Sequence, residues 1–139
     1  MTIFDIDTVA VVVSNRRSAL AWYTGILGLR AAYIGPHEAN PDPSIQGSLE
    51  NPGHWIEVGP NRPFTRIHLC ELPDGKAEPG RTGITLLTDD IQAEYARLKG
   101  AGVRFLSPPK KMDWGEWLCE FADPDGNEFD LKQPIPIAK

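Results

Sequence analysis

Apolar residues recur along this chain with two periods, every second position and every third or fourth, and the two alternate in a set order. Ile6 to Val13 is dense in Val and Ile with no helical gaps, which predicts a well-buried strand. Ser14 and Asn15 are good N-cap residues, and Leu20, Trp22, Tyr23, Ile26 and Leu27 follow at helical spacing. Gly28 ends that helix, and Arg30 to Ile34 makes a short second strand. Asn40-Pro41-Asp42-Pro43 and Asn51-Pro52 then oppose regular structure, so residues 36–53 are predicted to form a loop long enough for a lid over a binding site. His54 to Val58 and Thr65 to Leu72 alternate as two more strands, with Gly59-Pro60-Asn61-Arg62-Pro63 turning between them.

The second half repeats this order. A shift of 74 residues places Ser14-Asn15 on Thr88-Asp89, Ala19 on Ala93, Gly28 on Gly102 and Arg30 on Arg104, the mark of an internal duplication. Gly83 to Thr88 reads as a strand; Asp89 or Asp90 caps a helix through Leu98, and Gly100-Ala101-Gly102 stops it. Val103 to Leu106 is the next strand, Ser107-Pro108-Pro109 begins a loop, and Trp114 to Phe121 is the third strand. Pro124 presets φ for a turn, and Asp125-Gly126 tolerates positive φ, so the chain folds back as a hairpin. Beyond it Asn127, Glu128, Asp130 and Lys132 interleave with Phe129 and Leu131, as a half-buried strand requires. The predicted fold is α+β: one domain of two tandem βαβββ modules, residues 1–75 and 80–139, whose mixed four-stranded sheets curl around a shared cavity suited to a small molecule.

Composition narrows the partners. A chain of 139 residues with 41% hydrophobic content fills one ordinary domain. A net charge of -5 and few clustered cations argue against nucleic acid; a solvated loop explains the basic pair Lys110-Lys111. No apolar run approaches the roughly 20 residues of a membrane span, and the first residues lack a signal peptide's pattern, so a soluble cytoplasmic protein without membrane partners is expected. Cys70 and Cys119 fit no Cys-x-x-Cys pattern and read as buried free thiols.

Asp123-Pro124-Asp125-Gly126-Asn127 leading into a last strand is similar to the C-terminal signature of the vicinal-oxygen-chelate family, which includes glyoxalase, bleomycin-resistance and fosfomycin-resistance proteins and ring-cleaving dioxygenases. Ser14 to Tyr23 running on to Leu27-Gly28-Leu29 resembles that family's first helix and its exit. The two signatures, in the right order, extend the resemblance over nearly the whole chain. The resemblance implies a homodimer and, in metal-using relatives, a divalent ion such as Zn, Ni, Mn or Fe. Its ligands would come from the first and last strands of each module.

The positions that match those ligands are Thr8, His68, Gly83 and Asp130, so only His68 and Asp130 offer strong donors and the site is incomplete. Thr82 and Ile84 do not rescue Gly83, and Asp130 stands where the family usually has Glu. A register slip in module one would exchange His68 for Glu71, because residues separated by an odd number face opposite sides. Without metal, His68 and Asp130 could act as a general acid/base pair. The plainer readings are a hydrogen-bonded, half-buried His68 and an Asp130 bridged to Arg66 or Lys132; His37 and His54 read as solvated.

Trp55, Trp114 and Trp117 lie on or beside the third strands, where they either line a pocket for a planar guest or pack the core; Trp22 belongs to the core. Thr8, Arg66, Cys70 and Glu128 complete the candidate ligand-binding set. Asp113, Glu116 and Glu128 would make a negative rim favouring a cationic or hydrogen-bond-donating guest. The expected function is binding of a small organic molecule by a protein of the glyoxalase/bleomycin-resistance type with an incomplete metal site, not glyoxalase activity itself. A metal-dependent lyase, isomerase or dioxygenase is the alternative.

Overall fold

Strand, helix and three strands occur twice along the chain. The computed structural model describes residues 2–35, 55–60, 65–72 and 79–135. In order they form β1 (Thr8–Val13), α1 (Arg16–Gly25), β2 (Arg30–Ile34), β3 (Ile56–Gly59), β4 (Arg66–Glu71), β5 (Gly80–Leu87), α2 (Ile91–Gly100), β6 (Arg104–Lys111), β7 (Trp117–Ala122) and β8 (Asn127–Gln133). The chain divides into two compact units, Met1–Ala77 and Glu78–Lys139. Each described unit holds one four-stranded sheet, ordered β1-β4-β3-β2 in the first and β5-β8-β7-β6 in the second. The strand that precedes each helix runs parallel to the last strand of its unit, and the other pairings are antiparallel, so both sheets are mixed and the class is α+β.

One face of each sheet carries the helix. In the first unit, Ala19, Leu20 and Tyr23 are the buried residues of α1, which packs on β2, β3 and β4; Val11, Val13, Ile56, Val58, Ile67 and Leu69 are buried strand residues. In the second, Ile91 and Leu98 of α2 are buried with Phe121, Phe129 and Leu131, and the two phenylalanine rings stack at 5.5 Å. Full burial of each such side chain contributes about 1.5–3 kcal/mol. Asn15 caps α1 by accepting from the Ser18 amide at 2.9 Å, and Asp90 caps α2 by accepting from the Ala93 amide at 3.1 Å. The structural match to Asn15 is therefore Asp90, not Asp89. Gly28 and Gly102 share a φ of 90°, and the first module's exit from its helix is one residue longer.

The largest difference from the sequence reading is β6, which runs through Ser107, Pro108 and Pro109 to Lys111 instead of ending at Leu106. It lies at the sheet edge, and its register with β7 shifts between Phe105 and Ser107 and again before Lys110. Prolines are tolerated there because an edge strand has one side with no ladder bonds to lose. Strand β5 begins at Gly80, with its irregular pairing between Arg81 and Thr85. Trp114 falls in the turn before β7. The predicted lid at 36–53, His37, His54 and the turn residues Asn61, Arg62 and Pro63 lie outside the described residues.

The β7–β8 turn is built around Asp123, which is 5% exposed. Its Oδ1 accepts from the Asp125 and Asn127 amides at 2.9 and 2.8 Å, and its Oδ2 accepts from Asn127 Nδ2 at 2.8 Å. Gly126 adopts φ 85°, and an added Cβ there would meet Pro79 Cβ at 2.9 Å, so both conformation and space call for glycine. Asp123→Ala leaves these buried donors without their acceptor and is expected to cost about 3 kcal/mol. Urea unfolding should show a lower midpoint at an unchanged slope, with a smaller loss in Asp123→Asn, which keeps one acceptor oxygen.

Candidate functional site

The alternation of each strand decides which side chains reach the face opposite the helix. On β4, Ile67 and Leu69 point to the α1 core, while Arg66, His68 and Cys70 occupy the other face, half-buried. Register places Glu57 of β3 and Ala10 of β1 on either side of His68, Thr8 beside Arg66, and Val12 beside Cys70. Glu71 goes the other way: its Oε2 accepts from the Arg16 amide at 3.0 Å. Helix α1 has no acidic residue in its first turn, so β4 supplies the negative charge its N-terminus favours.

Trp55, immediately before β3, stacks on His68 with ring centroids 3.7 Å apart and planes 17° from parallel. Its indole N–H donates to Glu57 Oε2 at 2.8 Å, and the other oxygen of Glu57 receives Arg66 at 3.2 Å. Glu57 is 8% exposed, so this carboxylate is well desolvated and its two partners hold it. Among the described residues, Arg66 Nε is buried with no hydrogen-bond partner. Gly35 lets Trp55 come this close, since a Cβ there would sit 2.8 Å from Trp55 Cβ. Burial lowers the His68 pKa below its ordinary 6.5, against the pull of Glu57 and with a small push from Arg16. The imidazole under Trp55 is therefore neutral at pH 7.

In the second unit the same face carries Glu128, Asp130 and Lys132 of β8 beside Leu118 and Glu120 of β7. Asp130 lies between Glu120 and Thr85 of β5, and Glu120 lies beside Ser107, whose Oγ accepts its amide at 3.1 Å. Arg81 reaches over the two carboxylates, with NH1 3.2 Å from Glu120 Oε2 and NH2 3.3 and 3.1 Å from the two oxygens of Asp130. The ion-pair partner of Asp130 is thus Arg81, not Arg66 or Lys132; Lys132 pairs with Glu116 at 3.3 Å. These groups form a cavity of about 370 Å³ with Pro108, Lys110, Met112, Leu118 and Cys119. Burial, then the charges of Asp130 and Glu120, raise the Cys119 thiol to about 11, so it stays protonated and unreactive at neutral pH.

Of the sequence candidates, Thr8, Trp55, Arg66, His68 and Cys70 share one face of the first sheet, and Glu128 and Asp130 share one face of the second. Trp114 is 58% exposed in its turn and donates to Glu116 at 2.9 Å. Trp117 alternates with Leu118, on the Cys119 and Phe121 side of β7. Sequence reasoning passed over Glu57, Glu120 and Arg81. The available signal was a lone carboxylate between apolar neighbours, Ile56 and Val58 in one strand and Cys119 and Phe121 in another.

The donors do not suit a divalent ion. His68 is aligned with Ala10, which has no donor, while Thr8 lies beside Arg66. Asp130 is aligned with Thr85 rather than Gly83, and a guanidinium already neutralises it. Among the described residues no three His, Cys, Asp or Glu side chains converge.

The family description Glyoxalase/Bleomycin resistance protein/Dioxygenase superfamily matches residues 5–131. The chain belongs to this superfamily. A Bacillus subtilis (strain 168) relative, the uncharacterized protein YetH, is 33% identical over 92% of this chain and 97% of its own. A solved superfamily member from Sphaerobacter thermophilus has a TM-score of 0.78 at 30% identity, covering 96% of this chain and all of that one. TnmS3, an antibiotic binding protein from Streptomyces sp. CB03234, has a TM-score of 0.73 at 28% identity, covering 97% and 99%. Among the described residues of this superfamily member, no helix is long and apolar enough to cross a membrane.

The lowered His68 pKa gives a pH dependence of definite sign. Because the unfolded chain binds the proton first, stability falls as pH descends through 6.5 towards the folded value. Thermal unfolding between pH 7.5 and 5 should show this loss, and His68→Gln should flatten it. A His68 NMR titration midpoint at or above 6.5 would contradict the assignment.

Proposed function

We propose that this superfamily member binds a small, planar organic molecule, with Trp55 as the stacking platform and no metal between protein and guest. The observation that carries this reading is the Trp55–His68–Glu57 arrangement. Trp55 keeps 40% of its surface exposed although its ring is stacked on one side and its N–H is fixed by Glu57. An aromatic ring held this way loses little conformational freedom when a guest stacks on it. The similarity to TnmS3, an antibiotic binding protein, supports binding of a compact organic molecule.

Titration with a panel of planar aromatic antibiotics, followed by tryptophan fluorescence, tests this. At least one should quench with the same affinity in EDTA and in added nickel or zinc. Trp55→Ala should weaken that binding about tenfold or more, the scale of one aromatic stack together with the area it buries. Trp114→Phe should leave it unchanged. Metal-dependent binding, or binding indifferent to Trp55, would overturn the reading.

A further inference from the structure

The second unit's cavity holds two carboxylates that share one cation, Arg81. Glu120 and Asp130 face each other directly across β7 and β8, an arrangement that like charges disfavour unless a positive group lies over them. Arg81 fills that place but is weakly held there. Its side chain is 58% exposed, and its contacts run from 3.1 to 3.3 Å. An ion pair so exposed contributes little. Its strand is also irregular where it needs to yield. Pairing of β5 with β8 shifts between Arg81 and Thr85, and Gly80 and Gly83 flank the arginine at φ 145° and 75° with open space around both.

We propose that this cavity binds an organic monocation of the amidinium or guanidinium class, which displaces Arg81 from Glu120 and Asp130. The planar fork of such a group matches two carboxylates as the guanidinium does now. The cavity of about 370 Å³ has room for a compact ring behind it, against Pro108, Met112 and Leu118. Charge selects the valence. With Arg81 swung into solvent, Glu120, Asp130 and Lys110 leave one net negative charge, which a single positive group neutralises. The proposal shares with the reading above only the premise that the protein binds small organic molecules, and it concerns different residues from Trp55.

The test is a fluorescence titration with p-aminobenzamidine, with benzoate as an anion of the same shape. Arg81→Gln removes the competing cation and should tighten p-aminobenzamidine binding about tenfold or more. Lys110→Gln should tighten it more modestly. Glu120→Gln and Asp130→Asn should each weaken it by a similar factor, and benzoate should not compete. Weaker binding in Arg81→Gln, benzoate binding that depends on Arg81, or no amidinium binding in any variant would overturn the proposal. If aromatic guests still quench Trp55 under those outcomes, the platform stands and only the cation site falls.

Discussion

The buried carboxylate of Asp123 is the constraint on which the second unit depends. By accepting from the Asp125 and Asn127 amides and from the Asn127 side chain, it fixes where β7 stops and β8 starts. That turn sets Phe121 opposite Phe129 on the helix side and Glu120 opposite Asp130 on the other. A slip of one residue would exchange the two faces, turning Phe129 outward and Asp130 into the core. The cavity is therefore a consequence of a turn that contributes no side chain to it. The Asp-Pro-Asp-Gly-Asn signature acts here by holding the turn, through the Asp123 carboxylate and the Asn127 side chain.

The two units solve one electrostatic problem in different ways. Each places a glutamate on the third strand opposite the central polar residue of the fourth, Glu57 opposite His68 and Glu120 opposite Asp130. Each neutralises that glutamate with an arginine, from β4 in the first unit and β5 in the second. In the first the neighbour is a neutral imidazole under an indole, so Glu57 is left as a fixed acceptor that orients Trp55. In the second the neighbour is another carboxylate, so one exposed guanidinium serves two anions. The first arrangement is rigid and aromatic; the second is held by a displaceable charge.

Much of the fold was legible because it rests on local signals. Alternation marked the strands, Asn15 and the Asp89-Asp90 pair marked the helix starts, and Gly28 and Gly102 marked the exits. What escaped rests on pairing between distant segments. Pro108 and Pro109 read as a loop because nothing local shows that β6 lies on a sheet edge, where prolines fit. Thr8 and Gly83 stood for the positions that meet His68 and Asp130, but parallel register with β4 and β8 puts Ala10 and Thr85 there. Arg81 was invisible for the same reason: only the irregular start of β5 brings it over Asp130. Trp55 was named as a candidate, yet the imidazole beneath it came into view only with the β3–β4 register.

The charge balance of both sheet faces comes from within the chain, and metal content tests this most directly. Protein purified from growth with nickel, zinc, manganese and iron should hold far less than one equivalent of any of them by elemental analysis, because Ala10 and Thr85, aligned with His68 and Asp130, bring neither an imidazole nor a carboxylate to complete a site. Near one equivalent of metal, lost on His68→Ala and on Asp130→Ala, would show that the carboxylate and imidazole serve an ion instead, and would contradict the account.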